Sequence, residues 1–126
     1  MSSPFTERPE RDHVAGNSLA FAILDGFPVS PGHTLVVPRR LVATWSEATV
    51  EERRALMALV DEVMGRLTET HCPDGFNVGF NEGRVAGQTV QHLHVHVIPR
   101  YGGDHPDPRG GIRWVLPDTA DYWSGR

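Results

Sequence analysis

Three histidines at alternate positions, His92, His94 and His96, are the side chains of this sequence best placed to do chemistry. They fall in a stretch, Val90 to Ile98, whose apolar and polar residues alternate as in a β-strand. On such a strand the three imidazoles share one face at intervals of ~6.6 Å, while Leu93, Val95 and Val97 turn to the opposite face and a core. Three exposed histidines in a row with no task would gain nothing there and would repel one another once protonated. Metal binding is one use for them, since His-x-His on a strand offers two ligands to zinc. A third ligand and acceptors for the ring N–H groups would still be needed. No cysteine pair or obvious carboxylate stands beside the row. Phosphate chemistry is the other use. Imidazole titrates near neutral pH and can attack an α-phosphorus, giving a phosphoramidate that water later cleaves. The middle of the row is then the natural nucleophile, with its neighbours donating to phosphoryl oxygens. Gly87-Gln88-Thr89, just upstream, adds backbone N–H groups, an amide and a hydroxyl, which are neutral donors suited to phosphate.

Several elements must hold this row in place. Ser18 to Leu24 reads as a first strand, followed by the turn-rich Asp25 to Gly32. His33 to Val37 reads as a second, antiparallel to it and stopped by Pro38. Thr49 and Glu52 form a capping-box signature. Beyond them Leu56, Leu59, Val60, Val63, Met64 and Leu67 recur at helical steps, giving an amphipathic helix from about Val50 to about Thr68. Phe76 to Phe80 alternates as a third strand, the histidine strand is a fourth closed by Pro99, and Ile112 to Leu116 forms a last short strand. Met1 to Asp12 reads as a mobile tail. The expected class is α+β, a mostly antiparallel sheet of about five strands with one long helix.

Composition narrows the function further. The chain has 126 residues, enough for one domain, with 39% hydrophobic and 22% charged residues, which suits a folded globular protein. A formal charge of -4 argues against a general nucleic-acid binder. All twelve cationic side chains are arginine, so neither a P-loop lysine nor a Schiff-base lysine is available. Cys72 is the single cysteine, which excludes an intrachain disulfide and a Cys-x-x-Cys zinc knuckle. No apolar run is long enough to span a bilayer or to act as a signal core, so a cytoplasmic location is expected.

The ordered motifs resemble a known family. His92-Leu93-His94-Val95-His96-Val97-Ile98 resembles the signature of the histidine triad (HIT) superfamily. Asn81-Glu82-Gly83, Ala86 to Val90 and Pro99-Arg100, with Pro28 to Pro38 upstream, are similar to its fragile-histidine-triad branch and bacterial relatives. The resemblance covers roughly residues 17 to 101. It implies a HIT-like meander over 13–101, a Gly/Pro-rich tail over 102–126, and a homodimer formed through the helix and a sheet edge. The implied activity is hydrolysis or transfer of a nucleoside monophosphate, usually adenylyl, from a dinucleoside polyphosphate such as diadenosine tetraphosphate or from a nucleoside phosphoramidate. By that resemblance His94 is the nucleophile that becomes nucleotidylated, His96 contacts phosphate and leaving group, His92 holds the site, and His33 supports it from upstream. Gln88 and Thr89 match positions that touch the phosphates. Asp25 matches a position that binds ribose hydroxyls, and Asn81 an active-site amide. Ile23 and Leu24 fall near the base pocket or in the core. Some family members carry a structural zinc on an N-terminal cysteine pair, which this chain lacks. No structural zinc and no required cofactor are expected, and the expected partner is a purine nucleotide, with adenine favoured. Arg109 and Arg113 in the tail could reach distal phosphates or remain solvated. His13, His71 and His105 have no motif context. Two alternatives stay open: a nucleotide-binding interaction protein with little catalysis, and a metal-dependent hydrolase using the same histidines.

Overall fold

The computed structural model describes residues 2–125. Its longest element, helix α1, runs Val50–His71, three residues past the expected end. Thr49 starts it with a complete capping box. The Glu52 N–H donates to the Thr49 hydroxyl at 3.0 Å, and the Thr49 N–H donates to the Glu52 carboxylate at 2.9 Å. Arg40 donates to both oxygens of that carboxylate, at 2.7 and 3.0 Å, and this pairing holds the buried acid down to about 2. Cys72 ends the helix in the left-handed region at φ 49, and Pro73 prevents continuation.

The apolar stripe of α1, Leu56, Leu59, Val60, Val63 and Leu67, packs on one face of a five-stranded sheet. The strands are β1 (Ala15–Gly16), β2 (Ala20–Leu24), β3 (Thr34–Pro38), β4 (Gly75–Gly79) and β5 (Val95–Arg100). Their spatial order is β1-β2-β3-β5-β4, and every neighbouring pair is antiparallel. The architecture is therefore the expected α+β meander. Val95 and Val97 of β5 face the helix, and His96 and Ile98 face the opposite side.

Several boundaries differ from the sequence reading, and the larger differences have a local reason. β2 starts at Ala20, because the Asn17 side-chain oxygen accepts from the Leu19 and Ala20 N–H groups and makes a turn between β1 and β2. β3 keeps Pro38 as its last residue, opposite Ala20. β5 begins at Val95, five residues later than expected, because the Leu93 N–H goes to the Val42 carbonyl at 2.8 Å. It then runs through Pro99, which has only β4 beside it because β3 pairing ends at Val97, so the missing N–H is tolerated. Ile112 to Leu116 is not a strand. Gly111–Val115 forms a 3-10 helix, with the Arg113 N–H bonded back to Gly110 and that of Leu116 to Arg113, followed by the short α2 (Pro117–Ala120). Those short-range bonds use the N–H groups a strand would have offered to a neighbour.

The second face of the sheet carries a smaller apolar cluster of Phe21, Ile23, Leu35 and Val37. Phe5 packs on it. The stretch expected to be a mobile tail thus makes specific contacts. Arg8 donates to the Leu24 carbonyl at 3.2 Å, and Ser3 is buried. Among the described residues every buried side-chain nitrogen or oxygen has a hydrogen-bond partner, and no helix is long and apolar enough to cross a membrane.

Candidate active site

On the face of the sheet away from α1 lies a cleft of about 570 Å³. β5 supplies His96 to it, and the residue just before β5 supplies His94, with the two rings 5.2 Å apart. The β2–β3 connection supplies Asp25 and His33, while Asn81 and Thr89 come from the segment leading to β5. Six of the expected site residues therefore share one cleft.

His92 does not face it. The strand has not yet begun at this position, so the alternation that would align three rings is broken. The ring is 0% exposed. Its Nε2 lies 2.8 Å from the Pro38 carbonyl and 3.2 Å from that of Arg40. Two acceptors there place the hydrogen on Nε2. Nδ1 lies 2.7 Å from the Ser3 hydroxyl. Burial pushes the His92 pKa down against the pull of the two carbonyls, so the ring is neutral and Nδ1 accepts.

The backbone of His92 acts on its neighbour. His94 Nδ1 lies 2.7 Å from the His92 carbonyl oxygen. A carbonyl can only accept, so Nδ1 carries the hydrogen and Nε2 keeps its lone pair. The opposite tautomer is imposed on His96. The Val29 N–H donates to His33 Nδ1 at 3.1 Å, which puts the His33 hydrogen on Nε2. That atom lies 2.9 Å from His96 Nδ1 and 3.4 Å from Asp25 Oδ2. His96 Nδ1 therefore accepts, and its own hydrogen sits on Nε2. Burial drives the His96 pKa down to about 4, with His94 and His33 lowering it further and Asp25 opposing. Burial also lowers that of His33, again opposed by Asp25. Adjacent rings held with their hydrogens on opposite nitrogens, Nδ1 in His94 and Nε2 in His96, have the arrangement that a nucleophile beside a hydrogen-bond donor requires.

Other expected residues stand elsewhere. Gln88 is buried, its oxygen accepting from the Gly83 N–H at 3.0 Å and its nitrogen donating to the carbonyls of Ala43 at 2.7 Å and Val90 at 3.1 Å. It braces the loop whose members Gly87, at φ 94, and Thr89 reach the cleft. Ile23 is wholly buried in the second-face cluster, and Leu24 is half exposed away from the cleft wall. Leu35 takes the apolar position beside the histidines, opposite His96 in the β3–β5 pairing. Phe5 and Phe27 add aromatic wall, and Phe5 meets the His94 ring edge-on at 4.9 Å. Leu35 was inferable as the residue two along from His33 on the same strand face. Phe5 had only its isolation in a polar tail to mark it. Arg109 pairs with Asp107 and lies over Trp123, whereas Arg113 donates to the Ala120 carbonyl, so both organise the tail. His13 stacks on Phe21. Asp25, His33 and His96 could also present one ligand atom each to a metal, all within 4.8 Å of one another.

Comparison with known proteins gives a consistent picture. The HIT domain matches residues 7–103. Over 109 residues the chain is 41% identical to AP-4-A phosphorylase of Mycobacterium tuberculosis, a span covering 82% of this chain and 56% of that protein. It is 37% identical over 94 residues to the bifunctional bis(5'-adenosyl)-triphosphatase/adenylylsulfatase FHIT of Arabidopsis thaliana, covering 75% of this chain and 52% of that one. These spans amount to little more than half the length of either relative. A crystal structure of a Zn-bound histidine triad family protein from Mycobacterium smegmatis superposes with a TM-score of 0.74 at 28% identity, over 96% of this chain and 99% of that one.

Proposed function

The chain belongs to the HIT domain family, and on that footing we propose that it is a nucleotidyl hydrolase or transferase working through a nucleotidyl-His94 intermediate. The observation that carries the reading is the bond from His94 Nδ1–H to the His92 carbonyl, which leaves the Nε2 lone pair free to attack. His94 Nε2 bonds to the α-phosphorus of a dinucleoside polyphosphate or nucleoside phosphoramidate. The bond from that phosphorus to the leaving group breaks, and its electron pair stays with the leaving atom. The Nε2–H of His96 donates to that atom as charge develops on it. Water then attacks the phosphorus and releases a proton to solvent, the P–N bond breaks with its pair returning to Nε2, and a nucleoside monophosphate leaves. Asp25 accepts from ribose hydroxyls, Thr89 and Asn81 contact phosphate, and Gln88 keeps its loop in register. His33 holds His96 in its donor tautomer. The M. tuberculosis relative is named a phosphorylase, so inorganic phosphate is a natural second acceptor for the intermediate.

An adenine nucleotide substrate, a cytoplasmic location and a homodimer using α1 and the open edge of β4 belong to the same proposal. A panel of diadenosine polyphosphates and an adenosine phosphoramidate, assayed with and without inorganic phosphate, tests the activity and the acceptor by the products. His94→Ala should keep nucleotide affinity and lose at least about 10³-fold in kcat, and the adenylyl mass on the His94 peptide should disappear. Turnover in that variant near that of the unsubstituted protein would sink the covalent route.

The Asp25, His33 and His96 cluster supports a second reading, a metal-dependent hydrolase. A cation there would have to displace the hydrogen that His33 Nε2 directs to His96. Elemental analysis and chelation distinguish the two: stoichiometric metal, with activity lost on its removal, selects the second.

A further inference from the structure

We propose that Ser3 is a positioning residue for the reaction, its hydroxyl locking the ring of His92 so that the carbonyl of His92 holds His94 in the attacking tautomer. The inference rests on the nucleophilic role of His94 given above. It concerns a segment outside the matched span, since Ser3 precedes residue 7.

The N-terminal segment is built to present that hydroxyl. Ser3 and Thr6 close a turn in which the Ser3 N–H donates to the Thr6 hydroxyl at 2.8 Å and that hydroxyl donates to the Ser3 carbonyl at 3.2 Å. The Ser3 oxygen receives the N–H groups of Phe5 and Thr6, both at 3.2 Å. With its lone pairs so used, its own hydrogen is directed to His92 Nδ1 at 2.7 Å. Phe5 anchors the turn on the second-face cluster and lies against both rings, 5.9 Å from His92 and 4.9 Å from His94. Arg8 ties the following residues to the end of β2. His92 is thus gripped at both nitrogens, by Ser3 on one side and by the carbonyls of Pro38 and Arg40 on the other.

Removing the hydroxyl leaves Nδ1 buried without a donor. The ring then gains by turning over or admitting water, and either moves the carbonyl that fixes His94. Ser3 does not line the cleft, so nucleotide binding should be spared. Ser3→Ala is expected to lower kcat by about tenfold to a hundredfold with KM within about twofold, while Ser3→Thr, which keeps a hydroxyl, recovers most of the rate. Equal kcat in Ser3→Ala and the unsubstituted protein would overturn the proposal, and so would a loss that Ser3→Thr shares while folded. Nitrogen-15 imidazole spectra of the unsubstituted protein at pH 7 give a readout that needs neither variant. Hydrogen on His92 Nε2 and His94 Nδ1 is expected, and hydrogen on His92 Nδ1 would refute the lock. Those spectra stand whether or not any substrate in the panel turns over, so failure of the lock and failure of the proposed activity are told apart.

Discussion

At the scale of single residues, hydrogen-bond partners assign the ring hydrogens of the candidate site. His94 and His96 are neighbours of the same type, yet His94 donates its Nδ1 hydrogen to a backbone carbonyl whereas His96 Nδ1 accepts the hydrogen bond of the His33 Nε2–H. His33 imposes the second choice without reaching the reacting atoms. His33→Ala should therefore lower kcat about 10²-fold while nucleotide affinity changes little, and comparison of kcat with the dissociation constant of AMP checks it. A KM-only effect would show that His33 binds substrate instead. The spacing of His92, His94 and His96 was enough to mark a candidate site, because it is a local pattern, but only His94 and His96 of the three line the cleft. The separate duty of His92 was not legible. It depends on Ser3, 89 residues away, and on a crossing by the chain after β3, and neither leaves a mark near the triad.

At the scale of elements, what could be read tracks how local the determinants are. The helix was legible from its capping box and stripe because both lie within it. The start of β5 was not, since it is set where Leu93 finds Val42 instead of a strand partner. The tail residues 112–116 misled for a similar reason: an apolar run suits a strand, but closed turns satisfied its backbone first. The cap has a measurable worth. Thr49→Ala removes one hydrogen bond at the start of α1 and should destabilise the fold by about 1 kcal/mol. Glu52→Ala removes the other half of the capping box and also leaves the Arg40 guanidinium without its carboxylate, so it should destabilise the fold more than Thr49→Ala. Urea unfolding of the two variants checks the order. The Arg40 carbonyl is one of the two acceptors of His92, so the second variant should also reach the site.

At the scale of the molecule, the buried ionisable groups set how stability depends on pH. Burial lowers the pKa of His33, His92 and His96 in the folded state, that of His96 to about 4. The unfolded chain therefore binds more protons between roughly pH 4 and the ordinary histidine value of about 6.5. Stability should fall as pH drops through that window. Glu52 acts in the next window down. Its folded pKa is held at about 2, so its contribution is intact above the ordinary carboxylate range and is lost as pH falls towards 2. Urea midpoints should decline continuously from pH 7 to pH 4, and His96→Gln should flatten that decline from about pH 6.5 down to about pH 4. An unchanged slope in this variant would assign the effect to other groups.

The same neutral imidazoles govern how a polyanion arrives. The charged side chains around the cleft, Arg8 and Asp25, are opposite in sign, and the whole chain carries -4 at neutral pH. Nothing in that distribution draws a nucleotide in from a distance, and the net field opposes it. Association should then be governed by collision and short-range fit, with no electrostatic steering to accelerate it. kcat/KM for a dinucleoside polyphosphate should stay flat or rise slightly between about 10 and 150 mM salt, as screening relieves the repulsion. A steep fall over that range would mean that a positive field guides capture after all.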